Sequence, residues 1–495
     1  METPREIPGF FYDTVKRKYF KIESSRTAPP SSRWSSESVK RQKVEKQQAT
    51  KQELIVARRK LLVRRSQVLQ DPLLGGLLER NFGRHSRDLQ VDSWARTLHP
   101  RGCLRLHQKQ RSANNFPATI ESSNLDHLVV TNQTDGKGRI TTFGATHTGT
   151  IQGRYMPTDD YGSILDDDHY QDGDYYYTNL AKVVSYESPV SAMKYHEPSN
   201  TVLMTSHAPR ESTSITIFAP DILDISNTRT GLQDGTNFHR AGPPPTPNLT
   251  MNTCEPAPVG SELLAVLGTN RGILKLSSEM DRLKWVNDPE QSSNGKSTND
   301  VLSLSFMPKN PHVIFAGSRD SRVSWVDLRA PEGGQCGRIR HRSSVAHVRG
   351  INEHQVLAAG PKSAMSIYDI RFAQRPSMKK VRNMPLVRFS DYSNTASIQI
   401  GLDVDLELGV VAAATEDRAQ AQDGRLYLYS LNTGKQLDCP ALEKVRVGRV
   451  LKAVVFQRMP WEDTSSLYVG VGHEVHKFSL GNFVDEWTGE ELGHG

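Results

Sequence analysis

Two strand-like stretches end on the same pattern. Residues 321–329 read SRVSWVDLR and residues 363–371 read SAMSIYDIR, so Asp327 and Arg329 recur as Asp369 and Arg371, 42 positions on. A carboxylate and a guanidinium two residues apart break no bonds by themselves. What they can do is recognition, because arginine presents a planar fork of donors that matches a carboxylate bidentately, and a strand end holds that fork still. Reactive constellations do not appear in the sequence. It has no G-x-x-x-x-G-K-[ST], no G-x-S-x-G, no H-E-x-x-H and no paired Cys/His spacing. The run Asp166-Asp167-Asp168 with Asp172 and Asp174 lacks the spacing of a calcium loop and reads as a solvated loop. The expectation is a binding protein and not an enzyme, without cofactor or metal.

The elements that must carry these residues show as a repeat. Val326-Asp327-Leu328, Tyr368-Asp369-Ile370, Tyr429-Ser430-Leu431 and Phe478-Ser479-Leu480 align as strand ends, spaced 42, 61 and 49 residues apart. Upstream of each lies a short apolar strand: VIFAGSRDS, QVLAAGPKS, GVVAAATED and LYVGVGHEV. Before those come VLSLSFMP, SVAHVRGI, SIQIGLDV and LKAVVFQR. Each unit reads strand, turn, strand, turn, strand, with Gly, Asp, Ser or Asn at the turns. Weaker copies lie at 190–220, at 263–276 and near 126–143. Seven units across 126–481 average about 51 residues, above the roughly 40 to 45 of a propeller blade. Two loops hold the excess, an acidic, tyrosine-rich one at 158–179 and a proline-rich one at 240–260. The sequence therefore predicts an all-β fold, a seven-bladed WD40-type β-propeller, whose blades stack because one sheet cannot bury both its faces alone. In that fold Trp325, Val326 and Tyr368 are core, the aspartates favour the turn, and His341 is a blade-start histidine bonded within its repeat. Packing gives the two arginines no role.

Composition bounds the rest. The chain has 495 residues, 36% of them hydrophobic, and a net charge of +7. The first hundred carry 21 Lys/Arg against 11 Asp/Glu, so the positive excess is N-terminal. No run of about 18 apolar residues offers a membrane span, and the N-terminus lacks the apolar core of a signal peptide. Four scattered cysteines favour a reducing compartment, nucleus or cytoplasm.

Tandem strand ends of the form W/Y-D-x-R resemble the adaptor-docking motif of WD40 substrate receptors for cullin-4 RING ubiquitin ligases. Two N-terminal stretches, IPGFFYDTVKRKYFKI (7–22) and SSESVKRQKVEKQQ (35–48), are similar to the cullin-4-associated factors of the WD repeat protein 21 type. The resemblance covers the N-terminal hairpin and helix start, blades four and five well, and blades six and seven in part. It departs where Val326 takes a tryptophan position and where Ser430 and Ser479 replace aspartate. It implies that Asp327, Arg329, Asp369 and Arg371 dock the ligase adaptor, a damaged-DNA-binding protein, while another surface presents an unknown target for ubiquitination.

The N-terminal residues add to this. In 7–22 two aromatic clusters flank a polar turn, the pattern of a two-stranded hairpin, which is marginal alone. The stretch 35–69 is rich in helix formers and free of Gly and Pro. Its apolar residues Leu54, Ile55, Leu61 and Leu62 form one stripe, either a helix for the adaptor's cleft, as the resemblance implies, or a helix lying on the propeller's own side. The expected layout is a hairpin and linker over 1–34, a basic helix-loop-helix over 35–100, the propeller over 126–481 and a tail over 482–495. Two alternatives stay open: a WD40 scaffold independent of any ligase, whose arginines make blade-to-blade ion pairs, and a nuclear RNA or chromatin binder resting on the basic N-terminal region.

Overall fold

A computed structural model describes residues 10–13, 16–21 and most of 87–480. The chain divides into two units, residues 1–86 and 87–495. In the first, Phe10–Asp13 pairs antiparallel with Lys18–Lys21, Phe11 opposite Phe20 and Tyr12 opposite Tyr19, which is the expected hairpin. The turn is closed by Asp13, whose carboxylate accepts the Lys16 amide at 3.2 Å. The rings of Tyr12 and Tyr19 stack across the strands with centroids 4.8 Å apart. Residues 35–86, including Leu54, Ile55, Leu61 and Leu62, lie outside the described residues.

The second unit holds seven four-stranded antiparallel sheets, one per blade. Their first strands are Leu125–Val130, Val190–His196, Met251–Pro256, Val301–Met307, His347–Gly350, Leu402–Asp405 and Val454–Gln457. These strands lie against one another from blade to blade, and blade seven meets blade one, so the ring is closed. Three strands of blade seven run in order over Val454–Leu480; its fourth, Leu98–Arg105, comes from before blade one and pairs with Glu474–Leu480. That strand lies outside the 126–481 span read from the repeats. A propeller built only in sequence order leaves two open sheet edges, and a strand from the other end of the repeat array covers one of them. The helix Arg87–Arg96 leads into this strand and buries Val91, Trp94 and Ala95 in the same cluster as Leu98, Leu428, Leu442 and Phe478.

The cores lie between blades. Phe315, Trp325, Val345, Val356 and Tyr368 form one such cluster where blades four and five meet, so Trp325, Val326 and Tyr368 are buried as expected. Gly337, on the fourth strand of blade four, lies flat beneath the Trp325 indole, which any side chain there would overlap. His341 bonds the Tyr368 hydroxyl at 3.0 Å and the Ala364 carbonyl at 3.2 Å, linking blade four to blade five.

Candidate docking face

Asp327 and Asp369 are the last residues of the third strands, Arg322–Asp327 and Ala364–Asp369, of two adjacent blades. Each motif folds back on itself. Arg329 donates from Nε to Oδ1 of Asp327 at 3.0 Å and from Nη2 to Oδ2 at 2.7 Å, while its backbone amide donates to Oδ1 at 3.0 Å. Arg371 repeats this on Asp369, with 3.0 Å from Nε, 2.6 Å from Nη2 and 2.9 Å from the amide. The hydrogen bonds from Arg329 hold the Asp327 carboxyl down to about 2, and those from Arg371 lower Asp369 likewise. Both ion pairs are therefore charged at any pH near neutral.

This geometry corrects one expectation. The arginines make no blade-to-blade pair; each is held by the aspartate of its own motif. The guanidinium sides stay 63% and 59% exposed, whereas the Asp369 side chain is only 4% exposed. The aspartate is an anchor and the arginine a fixed, outward plane, so little rotamer freedom remains to be lost on binding.

The support below each motif repeats as well. The amide between Asp and Arg, that of Leu328 or Ile370, donates at 2.8 Å to the carbonyl of His312 or His354. Asn310 and Asn352 in turn accept the amides of those histidines at 3.1 and 2.9 Å. Asn-x-His recurs at the same 42-residue offset as Asp-x-Arg. Extending the alignment fifteen positions upstream of Arg329 and Arg371 exposes this signal, which the strand-end comparison alone misses.

Strand alternation assigns the faces. Loops after first and third strands lie on one face of a propeller, loops after second and fourth strands on the other. The Asp-Arg motifs follow third strands. On that same face sit all the large apolar side chains exposed on the described propeller: Val259, Leu406 and Trp461 after first strands, and Phe372, Met384, Leu386 and Leu480 at the third-to-fourth connections. Such one-sided exposure marks an interaction surface. Trp461, 43% exposed, is held in place by its neighbour Glu462. Glu462 accepts the Met459 amide at 3.2 Å, the Ser466 hydroxyl at 2.8 Å and the fully buried Lys477 ammonium at 2.6 Å.

No protein-family profile matches the chain. WD repeat-containing protein 21 of Schizosaccharomyces pombe is 28% identical over 125 residues, 25% of this chain and 28% of that protein. Protein SPA1-RELATED 4 of Arabidopsis thaliana is 23% identical over 153 residues, 31% of this chain and 18% of that protein. The matched segments thus span under a third of either relative. Among solved structures, the WD40 β-propeller domain of Doa1 covers 73% of this chain and 94% of its own at 11% identity and a TM-score of 0.48. Seven four-stranded blades, closed by an N-terminal strand and similar in sequence to WD-repeat proteins, decide the class. The chain is a WD40-type propeller.

WD40 propellers typically serve as protein-interaction modules, and this one has a second feature suited to contact. The first strands of its seven blades enclose an axial cavity of about 640 Å³. His207 and Arg319, which line it, follow second strands, so it reaches the face opposite the Asp-Arg motifs. Its ion pairs cross the ring. Arg349 of blade five donates at 2.9 Å both to Glu255 of blade three and to Asp403 of blade six. Lys452 of blade seven pairs with Asp126 of blade one at 2.8 Å. Burial works against the Arg349 charge, but the two carboxylates outweigh it and raise its pKa.

Proposed function

We propose that this protein is a substrate receptor of a cullin-4 RING ubiquitin ligase, acting in the nucleus or cytoplasm. The propeller binds the ligase adaptor through Arg329 and Arg371, and other surfaces hold the target. Its contribution is proximity, since ubiquitin transfer belongs to the ligase. One observation carries the reading: two identical, prefixed guanidinium planes stand on adjacent blades, on the face where the exposed apolar side chains collect. Arginine flanked by aromatic and aliphatic anchors is the composition of binding hot spots. The similarity to WD repeat-containing protein 21 is consistent with it. Leu54, Ile55, Leu61 and Leu62 are proposed as a further adaptor contact.

The test is capture of the adaptor from cell extract by tagged protein, wild type beside Arg329→Asp/Arg371→Asp. Adaptor retained by wild type and lost from a folded double variant supports the reading; no adaptor with either rejects it. A second reading is favoured by the intramotif pairing itself: if each arginine serves only its own aspartate, the propeller is a scaffold independent of the ligase, and the double variant behaves as wild type.

A further inference from the structure

Four cationic side chains line the axial cavity, and three are neutralised. Lys452 meets Asp126 at 2.8 Å and the Gln399 amide oxygen at 3.3 Å. Arg319 pairs with Asp300, and Arg349 with Glu255 and Asp403. The fourth, Lys194, projects from the middle of the first strand of blade two, is partly buried, and has no ion-pair or hydrogen-bond partner among the described residues. Its ammonium lies close enough to weigh on the imidazoles of both His127 and His347. His347, on the first strand of blade five, adds the second anomaly: its Nε2 is sealed from solvent and has no hydrogen-bond partner. The ring is neutral, since burial pushes it down to about 4 against the pull of the Ile400 carbonyl.

An unpaired ammonium and an unpaired imidazole nitrogen in one recess are each costly to leave unanswered. They ask for different things. The ammonium needs an anionic oxygen; the neutral imidazole, as an acceptor, needs a hydroxyl proton. A carboxylate supplies only the first. A phosphate group in its protonated monoanionic or partly protonated inorganic form supplies both, with charged oxygens and a P–OH. The cavity, at about 640 Å³, lies within the range of small-ligand sites.

We propose that the axial cavity is a phosphate-recognition site, with Lys194 binding a charged oxygen and His347 Nε2 accepting the phosphate hydroxyl, entered from the face opposite the Asp-Arg motifs. The site is independent of the adaptor surface, because its residues lie on the first strands of blades two and five and share none with the motifs. The phosphate belongs either to a small molecule or to a phosphorylated side chain of a partner, and the two sources use the same contacts.

The experiment is calorimetric titration of the full chain with inorganic phosphate at fixed ionic strength, with acetate titrated in parallel. A serine phosphopeptide forms a third arm that distinguishes the sources. Saturable phosphate binding is expected, weakened at least tenfold in Lys194→Met, kept in Lys194→Arg, and untouched in Arg329→Asp/Arg371→Asp. Phosphopeptide binding tighter than inorganic phosphate assigns the group to a partner protein; weaker binding assigns it to a small molecule. The proposal is overturned if wild type binds no phosphate, if Lys194→Met binds as well as wild type, or if acetate binds as tightly as phosphate. Should Lys194→Met fail to fold, Lys194→Gln carries the same comparison.

Discussion

The two faces of the propeller use charge in opposite ways. On one, each ion pair joins residues two apart in sequence and leaves its arginine in solvent. On the other, in the axial cavity, the pairs join residues from different blades: Arg349 reaches Glu255 and Asp403, and Lys452 reaches Asp126. A local pair adds nothing to ring closure and presents a surface. A pair spanning the ring fixes blades against one another and presents little. The difference separates what this molecule uses to hold its shape from what it offers to a partner.

Removing the closing strand tests the first half of that comparison hardest. A chain starting at residue 107 lacks Leu98–Arg105 and exposes an edge of blade seven together with the cluster around Phe478. We expect it to lose its cooperative thermal transition or to aggregate, as read by circular dichroism and light scattering. Arg349→Met comes next. It leaves Glu255 and Asp403 facing a cavity without their cation, and one partner of a buried network lost costs about 3–5 kcal/mol. Because the Arg349 side chain is 29% exposed, the lower end is expected, measured by denaturant unfolding. An unchanged midpoint would mean that the cross-ring pairs are ornaments of the cavity and not braces.

Blades four to seven were legible in the sequence because there the strand ends, the small-residue turns and the alternating first strands repeat in order. Ser430 and Ser479 could replace aspartate without hiding the pattern, since Tyr429 and Phe478 still fill the core. The closing strand was not legible. LHPRGCLR carries no period-two pattern, with exposed residues at four of its eight positions, and its partner lies more than 370 residues away. At the candidate site, residue types and spacing indicated Asp327, Arg329, Asp369 and Arg371. They could not indicate that each arginine folds onto its own aspartate, because Asp-x-Arg is compatible with either a free or a closed fork. The cavity was illegible for a different reason. Lys194, Arg349 and Lys452 sit in unrelated local sequences and meet only when the ring closes.

Three neutral buried histidines give the ring a dependence on pH that the docking face lacks. Burial pushes His127, His341 and His347 each down to about 4. Unfolded, each takes up its proton near 6.5. Between those values the unfolded chain binds more protons than the folded one, so stability is full above about 6.5 and declines as pH falls toward 4. The loss is at most about 3 kcal/mol per histidine. Asp327, held down to about 2, stays paired throughout this window. Thermal melts from pH 7.5 to 4.5 should fall steeply, and His341→Gln should flatten part of the slope; equal slopes would assign the dependence to other groups.

The smallest effect on stability is expected where the effect on binding is greatest. Trp461→Ala removes an exposed ring and leaves Glu462, Ser466 and Lys477 to hold the loop, so the melting temperature should move by no more than about 2 °C. Arg329→Ala and Arg371→Ala each free an aspartate that keeps its bonds to the backbone amides of the turn, so folding should again be nearly indifferent. If the face is a docking surface, capture of its partner should fall sharply in all three variants, because a rigid guanidinium and a rigid indole give up little freedom on binding. If Trp461→Ala binds as wild type while the arginine variants do not, the contact is confined to blades four and five. If instead Arg329→Ala and Arg371→Ala lower the melting temperature as much as Arg349→Met does, the contrast between local and cross-ring pairs fails, and the motif braces the blades in the same way as the cavity network.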